Sequence, residues 1–166
     1  KGLPGFDLSS DKALGDYFDV EWVPINDPSA TTMPTRKQAK ELGAARFSRG
    51  EGAFFAGGSA YFCSTNGGPA ERGQVYRLDT SVSGQDDRLT LIAQADKEDV
   101  LDRPDNITVA PWGGVFVAED GKSPNGIFLI RPDGKAIPVA RNAVNSGDSE
   151  VTGICFSPDG KWLFLN

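Results

Sequence analysis

From Arg46 onward the chain alternates short apolar runs with turns rich in glycine and proline. Phe54-Phe55, the Gly57-Gly58 turn and Ala60-Tyr61-Phe62-Cys63 open the series. Residues 73–78 and 89–93 follow as two further runs, split by the polar loop 79–88. The next pair is sharper. Asp105 through Val117 reads as a strand, a Pro-x-Gly turn at Pro111-Trp112-Gly113 and a second strand; the pattern returns 47 residues later from Thr152 through Phe164. Between the two copies, residues 126–130 and 136–140 flank a Pro132-Asp133-Gly134 turn. Runs this short, bounded by such turns, predict strands and hairpins rather than helices.

Each repeat counts about four strands, and a four-stranded unit recurring every 40–50 residues is how a β-propeller writes its blades. The expectation is therefore an all-β chain of four-stranded antiparallel propeller blades. Residues 51–95 and 105–142 make two blades, and the last copy opens a third. About two and a half blades cannot close a ring of four to eight, so residues 46–166 are expected to be part of a larger propeller. A self-contained β-sandwich is the other architecture that the strand pattern allows.

Residues 1–45 read as an irregular lead-in punctuated by Pro4, Pro24, Pro28 and Pro34. Residues 18–23 could form one strand there. Thr35 followed by Gln38 has the spacing of a capping box, which predicts a short helix over 36–42 that Gly43 ends.

Composition narrows the function. Net charge is −6, with an isoelectric point near 4.6. No basic patch is available for nucleic acid or an anionic membrane, and no apolar run is long enough to span a bilayer. Histidine is absent, which removes the common catalytic triads and imidazole ligands, so any metal must be held mainly by oxygen. Cys63 and Cys155 are too few and too far apart to predict a disulfide framework or a zinc site. The chain begins at Lys1 without a signal-peptide pattern, as a processed or partial chain would.

Four stretches carry candidate chemistry: Arg46 to Gly52, Arg103-Pro104-Asp105-Asn106, Glu119-Asp120-Gly121 and Asp148-Ser149-Glu150. Glu51, Asp105 and Glu150 each stand near the start of a strand that would border the propeller's channel, where they could converge on calcium. Their registers differ: Glu51 aligns with Asn106, and Glu150 precedes Thr152 by two residues. Plain solvation accounts equally well for any single surface acid, and Arg46 and Arg49 could simply pair with surface acids. Asp133-Gly134 and Asp159-Gly160 are turn chemistry. Thr65-Asn66-Gly67-Gly68 lacks phosphate-loop spacing, and Cys63 reads as a small buried hydrophobe.

Four ordered motifs carry a resemblance. They are Gly43 through Gly52; Tyr61 through Gly68 followed by Gly73-Gln74-Val75-Tyr76-Arg77; Pro104 through Gly114 leading to Glu119-Asp120-Gly121; and Glu150 through Gly160. In this order they resemble the C-terminal half of bacterial PhoX-type alkaline phosphatases and their secreted relatives, over about residues 43–166. The resemblance implies a six-bladed propeller, export to the periplasm or beyond, and hydrolysis of phosphate monoesters at a site using calcium (Ca2+) with iron (Fe3+). It implies metal binding by Glu51 and Glu150, and more weakly by Asp105 and Glu119. From the residues themselves, Asn106 beside Asp105 is a further candidate oxygen donor, and Arg46 and Arg49 are the candidate substrate-binding cations. The family's cysteine motif is expected upstream of Lys1, so the iron site is incomplete in these 166 residues and the missing half of the propeller is the expected partner. An arginine is expected two residues before the last glutamate; this chain has Asp148. A non-catalytic, calcium-stabilised propeller and a calcium-dependent propeller lactonase or esterase are the alternative readings.

Overall fold

The computed structural model describes residues 7–8, 13–81, 87–96, 101–122, 124–147 and 149–166. They form antiparallel sheets with one α-helix. β1 (Tyr17–Val20) and α1 (Thr35–Glu41) belong to the lead-in. β2 (Gly50–Ala56), β3 (Ser59–Ser64), β4 (Gln74–Asp79) and β5 (Asp87–Gln94) follow as a meander. β6 (Pro104–Val109), β7 (Val115–Glu119), β8 (Gly126–Ile130) and β9 (Ala136–Arg141) make a second meander. β10 (Cys155–Phe156) and β11 (Leu163–Phe164) form a separate hairpin. The strand orders are β1-β5-β4-β3-β2, β6-β7-β8-β9 and β10-β11, so two four-strand meanders and a hairpin stand where the repeats predict them. No helix of the described residues is long and apolar enough to cross a membrane.

The lead-in departs from the sequence reading. Its strand spans Tyr17–Val20 rather than 18–23, and it pairs with β5 as the fifth strand of the first sheet. Leu8 is buried in that sheet's outer core, and its carbonyl accepts a hydrogen bond from the Tyr76 hydroxyl at 2.8 Å. The helix spans 35–41 rather than 36–42. Its N-cap is Pro34 and makes no side-chain cap bond. Gln38 does not close a capping box, because the Asp27 loop takes its amide: Nε2 donates to the carbonyls of Asp27 and Met33, and Oε1 accepts from Asp27 N–H. The helix does end at Gly43, which adopts φ 76°. Ala44 N–H bonds to Ala39 O and Gly43 N–H to Lys40 O, a Schellman closure.

Strand alternation divides the core. Cys63, Val75 and Ala93 of the first sheet pack with Ile107 and Val117 of the second. Ala110, Phe116, Ala118 and Ile127 turn the other way, onto Val151 and Ile154 beside the last hairpin. Tyr76, Leu89 and Leu91 fill the outer face of the first sheet with Leu8, where Phe47, Phe62 and Tyr76 make edge-on and stacked ring contacts at 5.1–5.4 Å.

β6 lies against β2 on one side and β10 on the other. The first seam is tight. A Cβ on Gly52 would stand 2.5 Å from Asp105 O and 2.9 Å from both Asn106 Cα and Ile107 N. These are backbone atoms of a neighbouring sheet, so they cannot swing aside. Gly52→Ala should therefore force the two sheets apart and cost about 1–3 kcal/mol, as overpacking does; thermal unfolding would show a melting temperature several degrees lower.

Candidate metal centre

Glu51 and Asp105 occupy equivalent places. Each is the second residue of its sheet's first strand, and each sits in an irregularity of strand pairing. Between Gly50↔Ser64 and Ala53↔Phe62 two residues face one, and between Pro104↔Glu119 and Asn106↔Ala118 Asp105 has no partner. A bulge re-aims its side chain and is common beside functional sites. The acids also share an approach: Arg49 and Arg103, two residues earlier, both adopt left-handed backbone, with φ 52° and 54°. That conformation disfavours a side chain by about 1–2 kcal/mol. The bonds that hold it match as well: Thr65 N–H donates to Arg49 O at 2.8 Å, and Asp120 N–H to Arg103 O at 3.0 Å. Glu51 therefore corresponds to Asp105, not to Asn106 as the sequence alignment had it; the bulges absorb the difference in register.

Alternation along β7 decides which acid faces which neighbour. Val117 points to the first sheet, and so does Glu119 two residues on; Phe116 and Ala118 point toward the last hairpin. Glu119 is buried, and its two oxygens accept backbone N–H bonds from Asp102 at 2.6 Å and Gly126 at 3.1 Å. Burial raises its pKa to about 7 against the pull of those two bonds, with the neighbouring Asp102 charge adding to the rise and Arg72 opposing it. Asp102 itself is buried and paired with Arg72 at 2.8 Å.

Asp120, one residue further, belongs to a different group. Glu150 has its pKa raised by burial and then by the charges of Asp120, Asp105 and Glu51. Asp105 is raised by burial and by Glu51 and Asp120, while a Thr65 hydrogen bond and the Arg49 charge pull the other way. Glu51, Asp105, Asp120 and Glu150 come from three successive sheets, and their charges bear on Asp105 and Glu150. Arg49 stands beside them, its Nη2 3.4 Å from Glu51 Oε1 on a half-exposed surface.

The remaining candidates are placed as follows. Asn106 points to the last hairpin, and its Oδ1 accepts the Ile154 N–H at 3.0 Å. Arg46 pairs with Asp7 at 3.6 Å on an exposed surface of the lead-in. Asp148 lies outside the described residues. Cys63 is buried, and its thiol pKa is pushed up by burial and by the Asp105 charge, so it behaves as the small hydrophobe expected. The sequence reading included Asp120 in a candidate stretch and Thr65 in a glycine-rich loop but named neither as a site residue, and it did not single out the Arg72–Asp102 pair. The parity of Asp120 with Phe116 and Ala118 was the available signal.

As a donor set, four mutually repelling carboxylates without histidine fit a hard, multivalent cation. Among the described residues no three acidic or cysteine side chains are gathered closely enough to hold an ion as they stand. By charge the set would suit a cation, but its side chains do not close a ligand shell among the described residues.

The family model for alkaline phosphatase PhoX matches residues 8–166. Among solved structures the chain is similar to Pseudomonas fluorescens PhoX in complex with vanadate, a transition state analogue. The TM-score is 0.64 with 23% sequence identity, over 78% of this chain and 30% of that one. The chain thus spans less than a third of that relative's length, and at this identity the likeness is one of fold. No curated protein matches the sequence.

The Glu119 geometry has a pH consequence. A carboxyl whose pKa is higher in the folded than in the unfolded chain favours folding most when protonated. Its contribution is present below its ordinary value of 4.5 and is lost as the pH rises through about 7. In chelator-treated protein, the melting temperature should fall as the pH is raised across this range. Glu119→Gln should flatten the part of the slope near pH 7. It should also cost about 1–3 kcal/mol, because one backbone N–H would then face an amide NH2 instead of an acceptor.

Proposed function

Since the chain belongs to the alkaline phosphatase PhoX family, we propose that it is part of a secreted or periplasmic, metal-dependent phosphomonoesterase built as a six-bladed β-propeller. The two four-stranded sheets and the last hairpin would be consecutive blades, with β2, β6 and β10 innermost. The observation that supports this reading is that Glu51 and Asp105 occupy equivalent bulged positions at the starts of β2 and β6, and that the charges of Glu51, Asp105 and Asp120 bear on Glu150.

In this reading Glu51, Asp105, Asp120 and Glu150 hold calcium, with iron completed by residues outside this chain. The ions supply neutralisation of phosphoryl oxygens, orientation of the ester and an activated oxygen nucleophile, chemistry that needs no histidine. Glu119 is assigned to holding the Asp102 and Gly126 backbone rather than to the ion, and Asn106 to the joint with Ile154. Arg49, rather than the more distant Arg46, is the phosphate-binding cation. Once a multivalent ion neutralises Glu51, the guanidinium can offer paired N–H donors to a phosphoryl oxygen.

A second reading, a calcium-stabilised assembly without turnover, is favoured by one observation: the acids are not closed around a point among the described residues. Hydrolysis of p-nitrophenyl phosphate by the intact protein separates the two. The phosphatase reading expects turnover that is lost with chelator, restored by calcium, and lowered in both Glu150→Gln and Asp120→Asn. The drop should be at least the roughly 10–100-fold that losing a supporting group around a metal costs. Calcium binding and thermal stabilisation without turnover, in protein loaded with calcium and iron, would select the second reading.

A further inference from the structure

Away from the acids, toward the ends of the sheets where β2 finishes and β7 begins, the seam between the first two sheets opens. A cleft of about 560 Å³ lies there, between the face of the first sheet and the β6–β7 and β8–β9 turns of the second. The rows of side chains along the first sheet explain it. Midway along the strands the row facing the second sheet is Cys63, Val75 and Ala93, small apolar groups that pack on Ile107 and Val117. Two residues further on, the row is Tyr61, Arg77 and Thr90, continued by Phe54 on β2 and Tyr17 on β1. An arginine and a threonine cannot seal an apolar seam without burying unmet polar groups, and at this row the sheets stand apart.

The second sheet and the lead-in supply the other walls. Val115 and Ile130, a cross-strand pair, present apolar surface, and Ile92 of β5 adds to it. Leu14 of the lead-in bounds one side. It is pressed against the β8–β9 turn so closely that a Cβ on Gly134 would stand 2.2 Å from Leu14 Cδ2, and Gly15 N–H is bonded to Leu91 O at 2.9 Å. Two guanidiniums, Arg77 and Arg131, thus line one cavity from adjacent sheets, in a chain whose net charge is −6. Among the described residues the lining carries a single carboxylate, Asp133. It is already engaged with Lys135 N–H at 3.2 Å and Arg131 at 3.4 Å. Arg77 Nε and Nη2 both engage Asp79 Oδ2 at 3.0 Å, leaving Nη1 without a partner among the described residues. Half-exposed pairs of this kind are worth about 0–1 kcal/mol, so a ligand can compete for either guanidinium.

We propose that this cleft binds a small amphipathic organic anion. Its carboxylate, sulfonate or phosphate head is held by Arg77 and Arg131, with the Tyr61 and Thr90 hydroxyls as further donors, and its apolar body lies against Ile92, Val115 and Ile130. A cavity of a few hundred Å³ with apolar walls and a few converging polar groups is the usual form of a small-ligand site, and the planar guanidinium fork suits an oxyanion. The walls come from the lead-in and both sheets, so an occupant braces the three together and stabilises the folded chain. The cleft lies at the other end of the sheets from Glu51 and Asp105, and the proposal stands whether or not those acids hold an ion.

The test is a fluorescence titration of the intact protein with anilinonaphthalene sulfonate, an aryl sulfonate that brightens on entering an apolar site. Phenylnaphthylamine, the same ring system without the anionic group, is titrated beside it. The sulfonate should bind saturably and roughly 10-fold more tightly than the neutral compound, the difference that a hydrogen bond between charged partners makes. Arg77→Gln and Arg131→Gln should each weaken the sulfonate by a similar roughly 10-fold. Arg141→Gln removes the same charge at the far end of β9, opposite Gly126, and should leave binding unchanged. Thr90→Phe fills the cleft and should abolish binding, which keeps the test decisive should an arginine variant fold poorly. Equal affinity for the neutral compound overturns the proposal, because apolar surface alone would then account for binding. So does a titration that never saturates, or a sulfonate affinity that survives in Arg77→Gln, Arg131→Gln and Thr90→Phe alike. None of these results bears on the phosphatase reading.

Discussion

The grip of the first sheet on residues 102–106 is the constraint that the rest of the molecule depends on. The β3–β4 connection supplies it. The Thr65 hydroxyl donates to Pro104 O at 2.9 Å, Arg72 pairs with Asp102 while its carbonyl takes Arg103 N–H, and Gly73 is pressed against the Pro104 ring. From the β2 side Gly52 closes the same seam. The ion pair is buried, so removing one partner would strand a charge in the interior, at about 3–5 kcal/mol. Asp102 does a second job: its N–H is received by Glu119, and its Oδ2 receives Lys122 N–H at 3.0 Å. The end of β7, and hence Asp120, is thereby tied to the same point.

This arrangement opposes electrostatics with packing. Repulsion among Glu51, Asp105, Asp120 and Glu150 favours separating the sheets that carry them. Left-handed backbone at Arg49 and Arg103 adds strain at the two entrances. Both are tolerated because the seams beneath are apolar and close: Cys63, Val75 and Ala93 against Ile107 and Val117 on one side, Ala110, Phe116 and Ala118 against Val151 and Ile154 on the other. Of these acids, Asp105 and Glu150 have their pKa values pushed upward by their neighbours' charges. Among the described residues only Glu51 of the four has an arginine partner, Arg49 at 3.4 Å on the surface, whereas Asp102 is paired with Arg72 in the interior.

The strand pattern was readable because it rests on local chemistry. Apolar runs of period two and Pro–Gly turns fix hairpins whatever surrounds them, and two meanders plus a hairpin stand where the repeats put them. The lead-in was read less well. Thr35 and Gln38 have the spacing of a capping box, but the Asp27 loop, 11 residues upstream of Gln38, competes for the Gln38 amide and wins it; that loop lies outside the four-residue window of the capping box. β1 joins the first sheet through partners some 70 residues away, again beyond a local reading.

By itself the sequence determined the kind of chain: antiparallel strands in recurring units, an acidic and histidine-free surface suited to oxygen-bound cations, and motifs shared with one phosphatase family. Glu51, Asp105 and Glu150 drew attention in the sequence because each was expected near the start of a strand; in the structure Glu51 and Asp105 are, while Glu150 lies ahead of β10 (Cys155–Phe156). Only the tertiary structure decided how these acids relate. Two bulges set Glu51 opposite Asp105 rather than Asn106, since an extra residue in a strand shifts every position after it. Alternation along β7 then sent Glu119 inward to backbone donors and Asp120 toward Glu150, because neighbours on a strand face opposite sides. Thr65 reached Pro104 from another sheet. Such cross-sheet donors have no signature in the order of residues; they exist only once two distant hairpins share a seam.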